Sequence, residues 1–231
     1  MYRYETHLHT RPASACARCG VRESLEFYRE QGYDGVFITN HFLDGNFKER
    51  NNDTLSYREK VKIYNNDYYE GVEIGKDIGL KVFFGLEISY GGTDFLVYGL
   101  PPEWWLDHPE IMDMKKSQEL PFLMSQGALV IQAHPFREEG YIDHIRLYPR
   151  GVHGIEIYNA CNTELENAMA KIYAEKYGFL KFAGSDNHCG GEQKKLAGME
   201  SETPLKDEID FVERIKSGGM RIFSTDLSGN E

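Results

Sequence analysis

Short apolar runs alternate with longer amphipathic ones along most of this chain. "YETHLH" (Tyr4–His9), "GVFITNH", "LKVFFGLEIS" and "DFLVYGL" are rich in β-branched and aromatic residues and predict strands. "ALVIQAHP", "GIEIYN", "FLKFAGSD" and "RIFST" predict four more. Between them, "ESLEFYREQGY" predicts a helix ending near Gly32, and a helical region runs from about Leu55 to Ile78, closed by Gly79. "NTELENAMAKIYAEKYG" and "DEIDFVERIKSGG" predict two further helices with glycine stops. The middle stretch, "PPEWWLDHPEIMDMKKSQELPFLMSQG", reads as short helices and turns broken by proline. Its Trp104 and Trp105 suit a lid, a binding wall or ordinary core. No repeat, linker or break in composition divides the chain, so a single domain over 1–231 is expected.

Strands that alternate with helices imply an α/β protein with a largely parallel sheet. The placement of polar residues chooses between an open sheet and a barrel. His7, His9, His41, Glu87, His134 and Asp186 each close a different hydrophobic segment or share one. A barrel gathers all its strand ends around one mouth, whereas an open sheet spreads them along an edge. A barrel is therefore expected.

Side chains two apart on a strand share a face, so His7 and His9 reach one small volume with Leu8 turned away. Asp186 and His188 in "GSDNH" repeat the device. "ITNHF", "FFGLEIS" and "IQAHPF" each add one imidazole or carboxylate after an apolar run. Nitrogen and oxygen donors of this kind suit zinc, iron or manganese. Five histidines and two carboxylates exceed what one zinc takes, so two or three divalent ions are expected, with Glu87 able to bridge two of them. His108, His144 and His153 lack this context and are expected to be structural or exposed.

A formal charge of −11 argues against binding long nucleic acid, which needs clustered Lys and Arg. It leaves room for a small anionic substrate at a local cationic site. No apolar run reaches the roughly 20 residues of a membrane span, and the N-terminus lacks a signal-peptide core. A cytoplasmic protein without membrane contact is expected. Cys16 and Cys19 form a lone C-x-x-C, and with Cys161 and Cys189 they are expected to be unpaired, reduced thiols.

In order, "HLH", "TNH", "GLE", "AHP" and "SDNH" resemble the motifs of the PHP (polymerase and histidinol phosphatase) family, from Met1 to about Gly190. The resemblance implies a distorted, TIM-like β/α barrel of seven strands with a di- or trinuclear metal centre; many members hydrolyse phosphate esters. It implies His7, His9, Glu87 and Asp186 as ligands of one metal, Glu87 and His134 on a second, and His41 and His188 on a third. Three positions depart from the pattern. Asp94 stands where many relatives carry a histidine ligand, and is kept as a candidate ligand. Asn40 replaces the aspartate usual before His41. No histidine follows in "RPASACARC", so the third ion would be weaker, absent, or helped by a neighbour such as Cys16.

Phosphate also needs positive charge, and the guanidinium fork of Arg137 in "AHPFREEG" is the first candidate, with Arg11 behind it. Glu156 and Asn159 either line the pocket or buttress it. The expected chemistry is hydrolysis of a small phosphate monoester, histidinol-phosphatase-like, by a metal-held hydroxide. Arg137 would bind phosphate, and His188 or a metal-bound water would protonate the leaving group. The rival readings are an amidohydrolase-type hydrolase and a non-catalytic, metal-binding PHP-fold module.

Overall fold

In sequence order the chain forms β1 (Tyr2–Leu8), α1 (Val21–Glu30), β2 (Gly35–Ile38), α2 (Tyr57–Ile78), β3 (Lys81–Tyr90) and β4 (Thr93–Tyr98). There follow α3 (Pro102–Leu106), α4 (Lys116–Ser125), β5 (Leu129–Gln132), β6 (Gly154–Asn159), α5 (Glu164–Tyr177) and β7 (Leu180–Gly184). The chain ends with β8 (Lys195–Ser201), α6 (Glu208–Ser217) and β9 (Arg221–Asp226). The structure is a computed structural model that describes residues 1–228; the last three positions of the expected domain lie outside them.

Local sequence sets the helix boundaries. Ser56 and Glu59 form a capping box at the start of α2, and Gly79 ends that helix with φ of 71°, a conformation that costs glycine nothing. Thr163 with Glu166 and Gly178 do the same for α5. Each such cap contributes about 1 kcal/mol.

The strands join one sheet in the order β7-β6-β5-β4-β3-β2-β1-β8-β9. Beyond β7 the chain returns against β1: His9 N donates to Asn187 O at 3.0 Å, and Asn187 N donates to His7 O at 3.2 Å. This seam closes β1 to β7 into a barrel-shaped sheet. The sheet has nine strands where the resemblance implied seven, because β8 and β9, joined through α6, add an antiparallel pair beside the first residues of β1. β8 reads "KLAGMES", with no β-branched or aromatic residue, so its strand state comes from pairing on both sides rather than from its own preference. The sheet is parallel apart from that pair and β4, which runs against both β3 and β5.

Tyr4, Phe37, Phe83, Leu96, Tyr98, Ile131 and Phe182 fill the barrel interior together with Phe211 of α6, which plugs its base. Phe37 and Phe83 stack with ring centroids 4.8 Å apart, and Tyr98 meets Phe37 edge-on at 5.3 Å. Leu8 packs outside with Val21, Leu25 and Ile74 of the helical layer. Strict alternation would put Leu8 on the same face as Tyr4. A register shift between Glu5 and Leu8 reverses the parity, so His7 and His9 join the interior face. Trp105 is buried in the outer core, which settles the open reading of that position.

Candidate metal centre

Four chain segments carry an aromatic residue on the interior face and a ligand-type residue four positions away. They are Phe37 and His41, Phe83 and Glu87, Asp94 and Tyr98, and Phe182 and Asp186. Four residues of strand span about 13 Å, enough to put the rings at the base and the ligands at the mouth. In β4 the order is inverted, because that strand runs the other way. Its first residues therefore lie at the rim where its neighbours end, which brings Asp94 to the site.

The candidates converge. His7 Nε2 lies 3.2 Å from Glu87 Oε1 and 3.3 Å from Asp186 Oδ1. His9 Nε2 lies 3.3 Å from Glu87 Oε2 and from Asp186 Oδ1. His41 Nδ1 is 2.9 Å from Glu87 Oε2, and His134 Nε2 is 3.3 Å from Glu87 Oε1. His134 Nε2 stands 3.9 Å from Asp94 Oδ2. His188 stacks on His9 at 4.2 Å. Donor atoms of His7, His9 and Glu87, of His7, His134 and Asp186, of Glu87, Asp94 and His134, and of His9, His41 and His188 form four groups, each within 4.8 Å. The last group includes His9, which the resemblance placed on the first ion.

These contacts suit cations better than hydrogen bonds. His7 Nε2, His9 Nε2, His41 Nδ1 and Glu87 Oε2 are buried and make no hydrogen bond despite their close neighbours. Two ligands on one cation with bonds of about 2.1 Å sit roughly 3.4 Å apart when tetrahedral, close to the spacing seen. A buried polar atom with no partner costs about 1–3 kcal/mol, so four at one rim need a ligand to explain them. The residues therefore fit divalent cations.

The neighbouring polar groups fix which atoms are offered. His7 Nδ1 meets Glu156 Oε1 at 2.9 Å, and His9 Nδ1 meets Ser14 Oγ at 3.1 Å, so each ring presents Nε2 to the centre. Glu156 Oε2 accepts from His134 N and from Asn159 Nδ2, both at 2.9 Å. Glu156 and Asn159 thus buttress the site from below. Two ligand-type residues, His134 with φ of 26° and Asp186 with φ of 54°, have left-handed backbone that side chains other than glycine rarely adopt.

Charge follows the same plan. Burial opposes ionisation of Asp186, but His7 and Arg137 hold its carboxyl well below the usual range. Burial opposes Glu87 likewise, and His41 and His7 hold it low. Burial, then His188 and His41, push His9 well down, which keeps its lone pair available. Burial and the Glu87 charge raise Asp94.

Arg137 reaches the cleft, yet its side chain is committed. One Nη2 contacts Asp186 Oδ2 at 2.7 Å and Asn159 Oδ1 at 3.0 Å, and Nε donates to Asn162 at 3.0 Å. Arg11 donates to Arg18 O and does not line the cleft. His188 Nδ1 pairs with the Asp186 carbonyl at 2.9 Å, leaving Nε2 as the ring's other polar atom. His108 stacks on Trp104, His144 is exposed, and His153 Nδ1 accepts from Val130 N, all away from the centre. All four cysteines are free.

The centre opens into a cleft of about 480 Å³ that also touches Asp44, Arg50 and Tyr141. The sequence reading missed these three, and it missed Ser14 and Asp67. Ser14 stands five residues after His9, a turn-forming position that could have suggested a hydrogen bond back to the strand. Nothing in the local pattern marks the others.

The backbone as a whole has solved counterparts. A two-domain protein from Bacteroides vulgatus containing a predicted PHP-like metal-dependent phosphoesterase matches with a TM-score of 0.69 at 14 % identity, over 96 % of this chain and 64 % of that one. The chain has a PHP-type fold. It spans just under two thirds of that two-domain relative. A candidate metal-dependent phosphoesterase from Bifidobacterium adolescentis matches at TM-score 0.57 and 16 % identity, over 99 % of this chain and 98 % of that one. An amidohydrolase from Chromobacterium violaceum, solved with sulfate and no metal, matches at TM-score 0.58 and 15 % identity, over 95 % and 97 %. No family profile and no curated protein matches the sequence. Among the described residues of this PHP-fold chain, no helix is long and apolar enough to cross a membrane.

Proposed function

We infer that the chain is a metal-dependent phosphoesterase acting on a small phosphate monoester. The observation that carries this reading is the convergence of His7, His9, His41, Glu87, Asp94, His134, Asp186 and His188 on one rim, with four of their buried polar atoms unpartnered. His7, His9, Glu87 and Asp186 would hold one ion, Glu87, Asp94 and His134 a second, and His41 and His188 a third. Such cations, whether zinc, manganese or iron, supply positive charge for phosphoryl oxygens and acidify a nucleophilic water.

The chain's own groups do the rest. Arg137, tied to Asp186 and Asn159 by one arm, keeps its Nη1 protons for a phosphoryl oxygen and fixes the orientation of a ligand carboxylate at the same time. With Nδ1 bonded to the Asp186 carbonyl, His188 offers Nε2 as a ligand, and we favour that role over proton donation. Glu156 and Ser14 hold the rings of His7 and His9 so that little reorganisation is needed when charge develops. The cleft is closed below by aromatic core, which favours small esters over long polymers.

The amidohydrolase neighbour keeps a second class of reaction in play, although it was solved with sulfate, a tetrahedral oxyanion like phosphate. Assay against phosphate monoesters and against amides separates the two. Hydrolysis of phosphate esters is expected, lost on chelation and restored by Mn, Zn or Fe. A His9→Ala, Asp186→Ala double variant should lose about 10³-fold in kcat/KM, several kcal/mol of transition-state stabilisation. Undiminished turnover by that variant would end the proposal.

A further inference from the structure

Helix α5 is apolar on two sides. Ala170, Tyr173 and Ala174 pack into the outer core with Ile155. On the other side Leu165, Met169 and Ile172 are 71 %, 41 % and 51 % exposed, and Ala168 is exposed between them. Their spacing of i, i+3, i+4 and i+7 is that of a helix face that packs on something. Helix α1 shows the contrast: its exposed residues are Arg22, Glu23, Glu26, Arg29 and Glu30, all charged. Among the described residues, nothing in the chain covers the α5 stripe.

The charges beside the stripe point to its occupant. Seven residues apart, Glu164 and Lys171 share one edge of it, and both are exposed. Among the described residues neither makes an ion pair, whereas their neighbour Glu175 is tied to Lys181 at 3.0 Å. The first turn of α5 is acidic, with Glu164 and Glu166, and the last is basic, with Lys176. A surface with acid at one end and base at the other complements itself when turned end for end, as a two-fold axis does. An axis crossing between Ala168 and Met169 sets Leu165 against Ile172 of the partner subunit. It also sets Ala168 against the partner's Met169, and Glu164 beside the partner's Lys171. Apolar and charged positions thus both match under one rotation.

We propose that the chain forms a homodimer in which α5 packs antiparallel on α5 of a second copy. Leu165, Ala168, Met169 and Ile172 form the contact, and Glu164 pairs with the partner's Lys171 at both ends. Two helices packed over roughly two turns bury less than the roughly 1,200 Å² of a strong complex, so the dimer is a weak one of micromolar affinity.

Sedimentation velocity from about 1 to 200 μM brackets that affinity and tests the proposal. The wild type is expected to pass from monomer to dimer within the range. Ile172→Glu and Leu165→Glu should stay monomeric with an unchanged urea midpoint, because both positions are exposed. Lys171→Glu, felt twice across the axis, should weaken the dimer about tenfold, as should Glu164→Lys. The double reversal Glu164→Lys, Lys171→Glu should restore it, which no partner other than the chain itself would do. Ala168→Cys lies beside the axis and should give a covalent dimer on oxidation, whereas Leu165→Cys and the wild type with its exposed Cys161 should not. A wild type that stays monomeric at the top of the range overturns the proposal and leaves the stripe to a further domain or a different protein. A dimer that survives Ile172→Glu overturns it too, as does a double reversal no stronger than the single ones.

Discussion

Two buried polar clusters meet at His9, and they are built on opposite terms. Around Asn40, nearly every polar atom is answered from within the chain. Asn40 Oδ1 accepts from Thr10 N at 2.6 Å and Ser14 Oγ at 2.9 Å, and its Nδ2 donates to Thr10 Oγ1 and to Asp67 Oδ2 at 2.9 and 3.1 Å. Asp67 Oδ2 accepts from Thr10 Oγ1 and Ala13 N as well. At the rim, imidazoles and carboxylates are as close, yet four atoms make no hydrogen bond. A network satisfied internally is scaffold, whereas one with convergent unsatisfied donors is built for something that arrives later. The contrast also explains Asn40. A carboxylate stands behind Asn40, that of Asp67 on α2, and Asn40 links it to Ser14 and so to His9.

If that contrast is right, variants should divide by cluster, and loss of metal binding ranks them. Glu156→Gln comes first, because Glu156 holds both His7 Nδ1 and His134 N while lying outside the ligand set. Loss of such an orienting carboxylate costs about 10–100-fold in metal affinity. Isothermal titration with Zn²⁺ or Mn²⁺ checks this, and an unchanged Kd would show that Glu156 is scaffold only. Gly184→Ala comes next. A Cβ there would stand 2.5 Å from His7 Cβ and 2.9 Å from Glu156 Oε1, so the His7 ring must shift. Overpacking of this kind costs about 1–3 kcal/mol, measured as a lower urea midpoint, with a smaller loss of metal affinity than for Glu156→Gln.

Much of this was legible in the sequence, and the reasons are specific. Polar residues that close apolar strands gave the barrel and seven of the side chains that converge at its rim, because strand periodicity ties sequence spacing to one face. The spacing of Phe37 to His41, Phe83 to Glu87 and Phe182 to Asp186 was equally visible as "FITNH", "FFGLE" and "FAGSD". Asp94 was harder, since a residue that begins a strand reaches the rim only if that strand runs backwards. The strand β8 was hidden because pairing, not composition, makes it a strand. Asp67 was hidden for a further reason: its hydrogen bonds join residues far apart in sequence and leave no period. Arg137 was read as a phosphate ligand, and its grip on Asp186 came only with the fold.

The smallest effect on metal is expected from Asp67→Asn, and its signature is pH dependence rather than affinity. Burial raises the Asp67 carboxyl to about 6, against the hydrogen bonds from Thr10, Ala13 and Asn40 that pull it down. Its Oδ1 is the one atom of the network left unpartnered, which is why burial wins. Because the folded pKa lies above the unfolded value near 4, the folded state keeps its proton longer. The stability this gives is complete below pH 4 and is lost as pH rises through about 6. Two units correspond to about 3 kcal/mol. Asparagine cannot ionise and still offers an oxygen to the same three donors. Asp67→Asn should therefore match the wild type near pH 4 and gain on it by up to about 3 kcal/mol near pH 7.5, in urea unfolding at both values. A stability difference that stays constant across this range would mean that Asp67 is ionised in the fold throughout, and that the scaffold carries a buried charge as the rim does.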